Sequence, residues 1–213
     1  MPAAPRAMVA GHVCLDVIPA LRTPTPLPGC LAEVGPAEIR LGGCVANTGI
    51  TLAGLGARVD LVTIVGTDLF GDTILRMLES TKAAKVTTQR TSTHATSYSI
   101  VLQPPGADRA FLHHVGANAV FDAELVDLAG IDLLHVGYPQ LLPGLTKDGG
   151  RGLTGLLHRA KATGATSSVD FATLDDEAGA GGAVSGAGAD GSLSVDGEEL
   201  WLVMERFGKV GSG

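Results

Sequence analysis

The feature that most constrains this chain is a regular alternation of short apolar strands and helical segments between residues 7 and 170. An apolar run at residues 7–11 and a β-branched run at residues 58–65, each ending at Gly, predict two strands, and further strands are predicted at residues 131–136 and at residues 166–169, which end at Asp170. Helical periodicity or a glycine stop predicts helices at residues 45–55, 69–80 and 150–163. Alternation at this spacing is typical of βαβ units, so the sequence predicts an α/β fold with a mainly parallel sheet.

A second pattern, the alternation of polar and apolar side chains, covers residues 96–102. A Pro/Gly turn at residues 104–108 separates this segment from another predicted strand at residues 109–115. The two strands predict a β-hairpin with a turn longer than the tightest two-residue type. Residues 38–41 predict one more short strand, which runs into Gly42 and Gly43.

The last 39 residues differ from the rest of the chain in composition. Ten of them are Gly, and residues 179–191 consist almost wholly of Gly, Ala, Ser and Asp. Such a segment cannot bury enough apolar surface to offset the backbone entropy that folding removes. We therefore predict a folded region at residues 1–174 and a disordered tail at residues 175–213, in which only residues 198–207 could form a helix.

Composition and charge exclude several classes of protein. With 45% apolar and 17% charged residues, the chain is neither a coiled coil nor disordered throughout. Residues 1–174 carry 13 Lys and Arg against 14 Asp and Glu, and residues 175–213 carry 2 against 8, so the net charge of −7 belongs mostly to the tail. This balance disfavours nucleic acid and anionic membranes as partners.

The cysteines and the apolar runs indicate a reducing cytoplasmic setting. Three cysteines without C-x-x-C spacing predict neither a disulfide framework nor a thiolate zinc site. The first residues lack the apolar segment of a secretion signal, and no apolar run reaches the length that spans a membrane. The six histidines show no ligand spacing such as H-E-x-x-H, so no bound metal is expected.

Neither nucleotide motif of the sequence is convincing. Gly66 and Gly71 have the glycine spacing of a phosphate loop, but Asp72 stands where that loop needs the Lys that contacts phosphate. A G-x-G-x-x-G match at residues 186–191 follows no strand and opens no helix, and glycine-rich tracts produce such matches freely. The hypothesis that the chain is a dinucleotide oxidoreductase is therefore supported by the βαβ alternation alone.

One group of residues suits a polyhydroxylated ligand. Asp16 follows the first predicted strand, and Gly42 and Gly43 precede a predicted helix whose first turn contains Asn47. Paired glycines let a ligand approach backbone N–H groups at a helix N-terminus, and a carboxylate accepts two hydroxyl hydrogen bonds at once. The alternative is an ordinary turn and helix cap, which these residues alone favour.

Four segments together resemble the N-terminal part of the ribokinase-like (PfkB) carbohydrate kinases. In the family's order, they are Val9-Ala10-Gly11-His12-Val13-Cys14-Leu15-Asp16, Leu41-Gly42-Gly43-Cys44-Val45-Ala46-Asn47-Thr48, Val65-Gly66-Thr67-Asp68-Leu69-Phe70-Gly71 and His114-Val115-Gly116-Ala117-Asn118. Each segment is weak alone, but the set is specific. Because of this resemblance, we favour ligand binding at Asp16 and Gly43 over the ordinary turn and helix cap.

The resemblance implies a Rossmann-like α/β/α sandwich with a small β-sheet lid, formed by segments at about residues 13–41 and 96–115. It implies sugar contacts at Asp16, Gly42, Gly43 and Asn47, lid side chains facing the sugar at Ser99, Val101 and His113, and Asn118 near the pocket floor. For His113, a solvated hairpin position is an equally open alternative.

The resemblance implies ATP-dependent phosphoryl transfer to a hydroxyl of a sugar or nucleoside, with Mg²⁺ as the metal. Family members continue into a nucleotide-binding half with a Gly-Ala-Gly-Asp motif, whose Asp is the catalytic base. Residues 186–190 echo this motif, but an extra Ala separates Gly188 from Asp190, so no catalytic residue is assigned. We therefore expect a truncated chain that is inactive alone, whether by truncation, frameshift or descent from a pseudokinase. The alternative is a non-catalytic sugar-binding fragment or one that forms a homodimer through the lid.

Overall fold

The computed structural model describes residues 4–23 and 28–171, together with three short strands within residues 193–203. The strands, in chain order, are β1 (Arg6–Gly11), β2 (Cys14–Ala20), β3 (Gly35–Gly42), β4 (Arg58–Gly66), β5 (Lys85–Thr91), β6 (Tyr98–Leu102), β7 (Ala110–His114), β8 (Leu133–Gly137), β9 (Thr166–Asp170), β10 (Leu193–Val195), β11 (Glu198–Leu200) and β12 (Leu202–Val203). A π-helical segment at Val45–Ile50 continues as α1 (Thr51–Gly54), and the longer helices are α2 (Leu69–Glu79) and α3 (Pro143–Ala162).

The main sheet is entirely parallel, with the strand order β12-β9-β8-β1-β4-β5. The four strands predicted at residues 7–11, 58–65, 131–136 and 166–169 lie side by side in it, which confirms the predicted fold. The sequence analysis missed β5, whose residues Lys85–Thr91 contain no apolar run. This strand forms one edge of the sheet and pairs only with β4, so it does not need the apolar residues that mark a central strand.

The helices cover both faces of this sheet. On one face, Leu134 of β8 packs with Leu145 and Leu153 of α3. On the other face, Leu61 of β4 packs with Ile74 of α2. The prediction for α3 was seven residues too short at its start, because the helix begins at a proline, a residue favoured in the first helical turn. Among the residues that the structure describes, no helix is long and apolar enough to cross a membrane.

The described part of the tail is extended. Strands β10 and β11 pair with each other, and β12 pairs in parallel with β9, placing Leu202 beside Val169. The prediction of a helix over residues 198–207 is therefore wrong for its described residues, and β12 pairs with the last two residues of β9. Most of residues 175–213, Asp190 included, lie outside the described residues, so their disorder stays a prediction.

The second sheet is the small lid, with the strand order β3-β2-β6-β7. Its outer pairs are antiparallel and its central pair, β2 with β6, is parallel. The predicted hairpin of residues 96–115 forms β6 and β7. Because β2 begins three residues after β1 ends, the lid starts at the carboxyl end of a central strand of the main sheet. Ligands bind at such strand ends in open α/β sheets.

Candidate functional site

A cavity of about 610 Å³ lies between the lid and the carboxyl ends of the main-sheet strands. Six of the eight residues predicted from the sequence line it, namely Asp16, Gly43, Asn47, Ser99, Val101 and His113. The lining also includes residues that the sequence analysis did not select, among them His12, Cys14, Arg109 and Tyr138. Gly42 and Asn118 do not line the cavity, and their contacts are described below.

Asp16 lies in β2, beside Arg40 of β3 and Ser99 of β6 in the register of the lid. Its side chain is partly buried, and Oδ1 accepts a hydrogen bond from the Cys14 thiol at 3.2 Å. Burial raises the pKa of the Asp16 carboxyl, an effect that hydrogen bonds from Cys14 and Ser99 and the charge of Arg109 partly oppose. The site therefore holds a carboxylate that is incompletely solvated and available to hydroxyl groups in the cavity.

Gly42 and Gly43 make room for two side chains of the site. A Cβ at Gly42 would stand 2.6 Å from Cγ of Asp16, so only glycine lets that carboxylate occupy its position. Gly43 has φ +86°, and a Cβ there would stand 2.5 Å from the carbonyl oxygen of His12. At the start of the helical segment that follows, one backbone N–H group already has a partner, because the N–H of Val45 donates to this same oxygen at 3.2 Å.

Two imidazole rings meet in the cavity wall. Nε2 of His12 lies 3.3 Å from Nε2 of His113, and Nδ1 of His113 lies 3.0 Å from Oγ of Ser99. Burial lowers the pKa of His12 to about 3, with a contribution from His113, so this ring is neutral near pH 7. Burial also lowers the pKa of His113. The side chain of His113 lines the cavity while the residue is also exposed to solvent, so a sugar contact at His113 stays a prediction.

Cys14 is buried beside these rings. Its Sγ lies 3.7 Å from Oγ of Ser99, and burial, with the charge of Asp16, raises the pKa of the thiol. One ligand atom from each of His12, Cys14 and His113 falls within 4.8 Å of the others. Spacing along the chain could not reveal this cluster, because His12 and His113 are 101 residues apart and meet only across the lid.

Asn118 fixes the backbone that carries His12 and Cys14. Its side chain is fully buried; Nδ2 donates to the carbonyl oxygen of Val13 at 2.8 Å, and Oδ1 accepts from the N–H of Val13 at 3.5 Å. Val13 is the residue between His12 and Cys14. Asn118 is therefore placed to position two cavity residues, rather than to line the cavity itself.

Tyr138 is a strained residue of the cavity wall. It follows β8 with φ 58° and ψ 50°, the left-handed region, which costs a non-glycine residue energy. Its hydroxyl accepts a hydrogen bond from Nδ2 of Asn47 at 3.5 Å, and its ring centroid lies 5.9 Å from that of His12. Strained backbone is concentrated at functional sites. No sequence signal identifies Tyr138, because a positive φ at a tyrosine is set by the surrounding fold.

Comparison with known proteins agrees with this architecture. Residues 4–170 match the family model described as pfkB family carbohydrate kinase. Among curated protein sequences, none is significantly similar to the chain.

Solved structures with the same fold include sugar kinases. A ribokinase from Giardia lamblia superposes with a TM-score of 0.67 at 17% identity, covering 81% of this chain and 52% of that protein. A fructokinase with bound ATP from Xylella fastidiosa gives 0.63 at 22% identity, covering 80% and 50%. A ribokinase from Cryptococcus neoformans var. grubii serotype A in complex with ADP gives 0.59 at 22% identity, covering 78% and 51%. The chain thus spans about half the length of these structures.

Proposed function

The chain belongs to the pfkB family of carbohydrate kinases, and we propose that the cavity beneath its lid binds the sugar or nucleoside that receives the phosphoryl group. The observation that carries this proposal is the Asp16 carboxylate, which lines the cavity and has room there because residue 42 is a glycine. A partly buried carboxylate that accepts two hydroxyl hydrogen bonds suits a vicinal diol, because bonds to a charged acceptor are stronger than neutral ones.

The neighbouring residues support a polar, orienting site. Asn47 offers both a donor and an acceptor at the cavity edge, and Ser99 and His113 add polar groups from the lid. Val101 supplies an apolar contact for the carbon skeleton of a ligand. A pocket of this size with a few converging polar groups is typical of small-molecule sites.

ATP and Mg²⁺ are the co-substrate and metal that the family implies, and relatives have been solved with ATP and ADP. The described cavity does not by itself fit a nucleotide with its metal. Its acidic groups are Asp16 and Glu38, of which Glu38 is already paired with Arg40. The acceptor site is therefore the part of the reaction that we assign to residues 4–23 and 28–171.

We further propose that the 213-residue chain alone does not transfer phosphate. Phosphoryl transfer needs a base, an anion hole and a nucleotide platform held together. The sequence contains no Gly-Ala-Gly-Asp motif, and Asp190, which is nearest to one, lies outside the described residues. An assay of ATP-dependent phosphorylation with Mg²⁺ tests this, and turnover that is lost in Asp16→Ala would contradict it.

The test of the binding proposal is calorimetry of the full chain with a panel of pentoses, hexoses and nucleosides. We expect one member of the panel to bind with 1:1 stoichiometry without ATP. A chain that is folded by circular dichroism and binds no member of the panel would contradict the proposal.

Three free cysteines, Cys14, Cys30 and Cys44, are compatible with the reducing cytoplasm as the place of this reaction.

A second candidate function, homodimerisation through the lid, is favoured by a row of apolar residues on the face of the lid away from the cavity. Ile39, Val17, Ile100 and Leu112 follow one another across the four strands. Ile39 is 46% exposed and Leu112 is 57% exposed, and an exposed apolar sheet surface of this kind is commonly covered by a partner.

If the chain is a dimer, light scattering should give twice the 21.6 kDa chain mass. Leu112→Glu should give a monomer, and Leu55→Glu, at an exposed site outside the lid, should not. A monomeric wild type would contradict this function.

A further inference from the structure

The group formed by His12, Cys14 and His113 is not explained by carbohydrate binding. A sugar needs hydrogen-bonding groups at the cavity surface, yet His12 is only 2% exposed and Cys14 only 3%. The nitrogen Nδ1 of His12 is buried without a hydrogen-bond partner. Its Nε2 faces only another imidazole at 3.3 Å. A buried imidazole whose Nε2 contacts only a second imidazole needs a physical explanation, and an ion bound at that Nε2 is one of the few available; such an ion would leave Nδ1 unchanged.

The distance between the two rings fits a shared metal ion. Two nitrogens bound at about 2.0–2.1 Å to a tetrahedral zinc ion stand about 3.3–3.4 Å apart. The two Nε2 atoms are 3.3 Å apart, the separation expected of two ligands of one ion. The alternative at this distance is a single N–H···N hydrogen bond between the two rings, with the Cys14 thiol bonded to Asp16 and Ser99.

We propose that His12, Cys14 and His113 bind one Zn²⁺ ion at the cavity wall. Imidazole nitrogen and thiolate sulfur are ligands that zinc prefers, whereas Mg²⁺ prefers oxygen. Binding releases the thiol proton of Cys14 to solvent, and the thiolate then ligates the ion. Oδ1 of Asp16, 3.2 Å from Sγ of Cys14, is an oxygen donor beside the cluster.

The surroundings hold the three ligands in place. Ser99 Oγ lies 3.0 Å from Nδ1 of His113, which orients that ring with Nε2 toward His12. The side chain of Asn118 is bonded to both backbone groups of Val13, between the other two ligands. Contacts of this kind around metal ligands raise affinity, and their loss commonly costs about 10–100-fold.

The test uses Co²⁺ as a spectroscopic probe with the full 213-residue chain, in the absence of sugar and nucleotide. We expect one equivalent of Co²⁺, a thiolate-to-cobalt charge-transfer band, and displacement of that band by equimolar Zn²⁺ but not by excess Mg²⁺. The band should disappear in Cys14→Ser and persist in Cys30→Ser, because Cys30 is exposed and outside the cavity lining. This readout does not depend on carbohydrate binding, so its failure is separate from failure of the proposed function.

A second pair of variants, at exposed positions, distinguishes loss of a metal ligand from loss of folding. His113 and His114 are neighbours in β7 and both are exposed, but only His113 lines the cavity. We expect His113→Gln to weaken Co²⁺ binding by at least about tenfold and His114→Gln to leave it unchanged. Equal affinity in the two variants, or binding without the thiolate band in wild type, would overturn the proposal.

Discussion

The main sheet and the lid are both β-sheets, but their side chains face different surroundings. In β4 of the main sheet, every residue after the first is buried, because helices cover both faces. In β7 of the lid, all five residues are exposed, and in β6 exposure alternates from one residue to the next. The comparison indicates that the main sheet contributes most of the buried core, whereas the side chains of the lid stay largely accessible to solvent.

The largest effect should come from truncating the core of the main sheet. Leu61 of β4 is fully buried, so Leu61→Ala should lower the free energy of unfolding by about 2–5 kcal/mol. Leu112→Ala, on the outer face of the lid, should change it by less than about 1 kcal/mol because that side chain is 57% exposed. Urea denaturation of the two variants measures the difference. Equal losses would show that the lid contributes to the core as much as the main sheet does.

An intermediate effect is expected where the two sheets meet. In Gly42→Ala the new Cβ would overlap the Asp16 carboxylate, so that group must move and sugar affinity should fall by about tenfold or more. Gly54→Ala is the matched control, because nothing lies within 4 Å of a Cβ at that position. Calorimetry with the ligand identified from the panel gives the two dissociation constants. A Gly42→Ala protein with wild-type affinity would show that the position of this carboxylate does not matter.

A smaller effect with a defined pH dependence is expected at Asp68, which ties α2 to the start of the lid hairpin. Its carboxylate accepts hydrogen bonds from the N–H of Gly71 and from the N–H and hydroxyl of Thr96, at 2.9, 2.7 and 2.6 Å. Burial acts to raise the pKa of Asp68, but these hydrogen bonds outweigh it and lower the pKa. In Asp68→Asn the side chain can still cap the helix, but it loses its charge and one acceptor oxygen, so the variant should lose about 1 kcal/mol of unfolding free energy at pH 7.

The sign of the pH dependence follows from that lowered pKa. The stabilising effect of Asp68 is complete above the ordinary pKa of an aspartate and is lost as pH falls through the lower, folded-state value. Denaturation curves of wild type and Asp68→Asn should therefore converge in acid. A stability difference that stays constant from pH 7 to strongly acidic conditions would contradict this assignment.

The sequence predicted the main sheet better than it predicted the cavity. Apolar and β-branched runs identify β1 and β4, because strands buried on both faces are mostly apolar; β9, with the sequence Thr-Ser-Ser-Val-Asp, was predicted from its place in the alternation with helices. The polar edge strand β5 has no such run, and the short strand β12 is recognisable only by its pairing with β9. The bounds of the lid hairpin followed from alternation, which is the signal of a half-buried sheet.

For the cavity, the resemblance carried by four segments selected Asp16 and Gly43, and the structure places both in the cavity lining. Residue type alone favoured a turn and a helix cap at these positions. The contacts of His12 with His113, and of Asn118 with Val13, join residues more than 100 positions apart. Such contacts are determined by the pairing of lid strands and not by any local pattern.

The central claim, that Asp16 in the cavity beneath the lid binds the acceptor sugar or nucleoside, is tested most directly by calorimetry of Asp16→Asn. Loss of a charged acceptor of two hydroxyl hydrogen bonds should weaken binding by about 2–4 kcal/mol. Because burial raises the pKa of Asp16, its charge opposes folding at neutral pH, and the variant should unfold at no lower urea concentration than wild type. Asp127→Asn, which alters a carboxylate bonded only to the N–H of Ala129 among the described contacts, should bind like wild type. An unchanged dissociation constant in Asp16→Asn would contradict the claim.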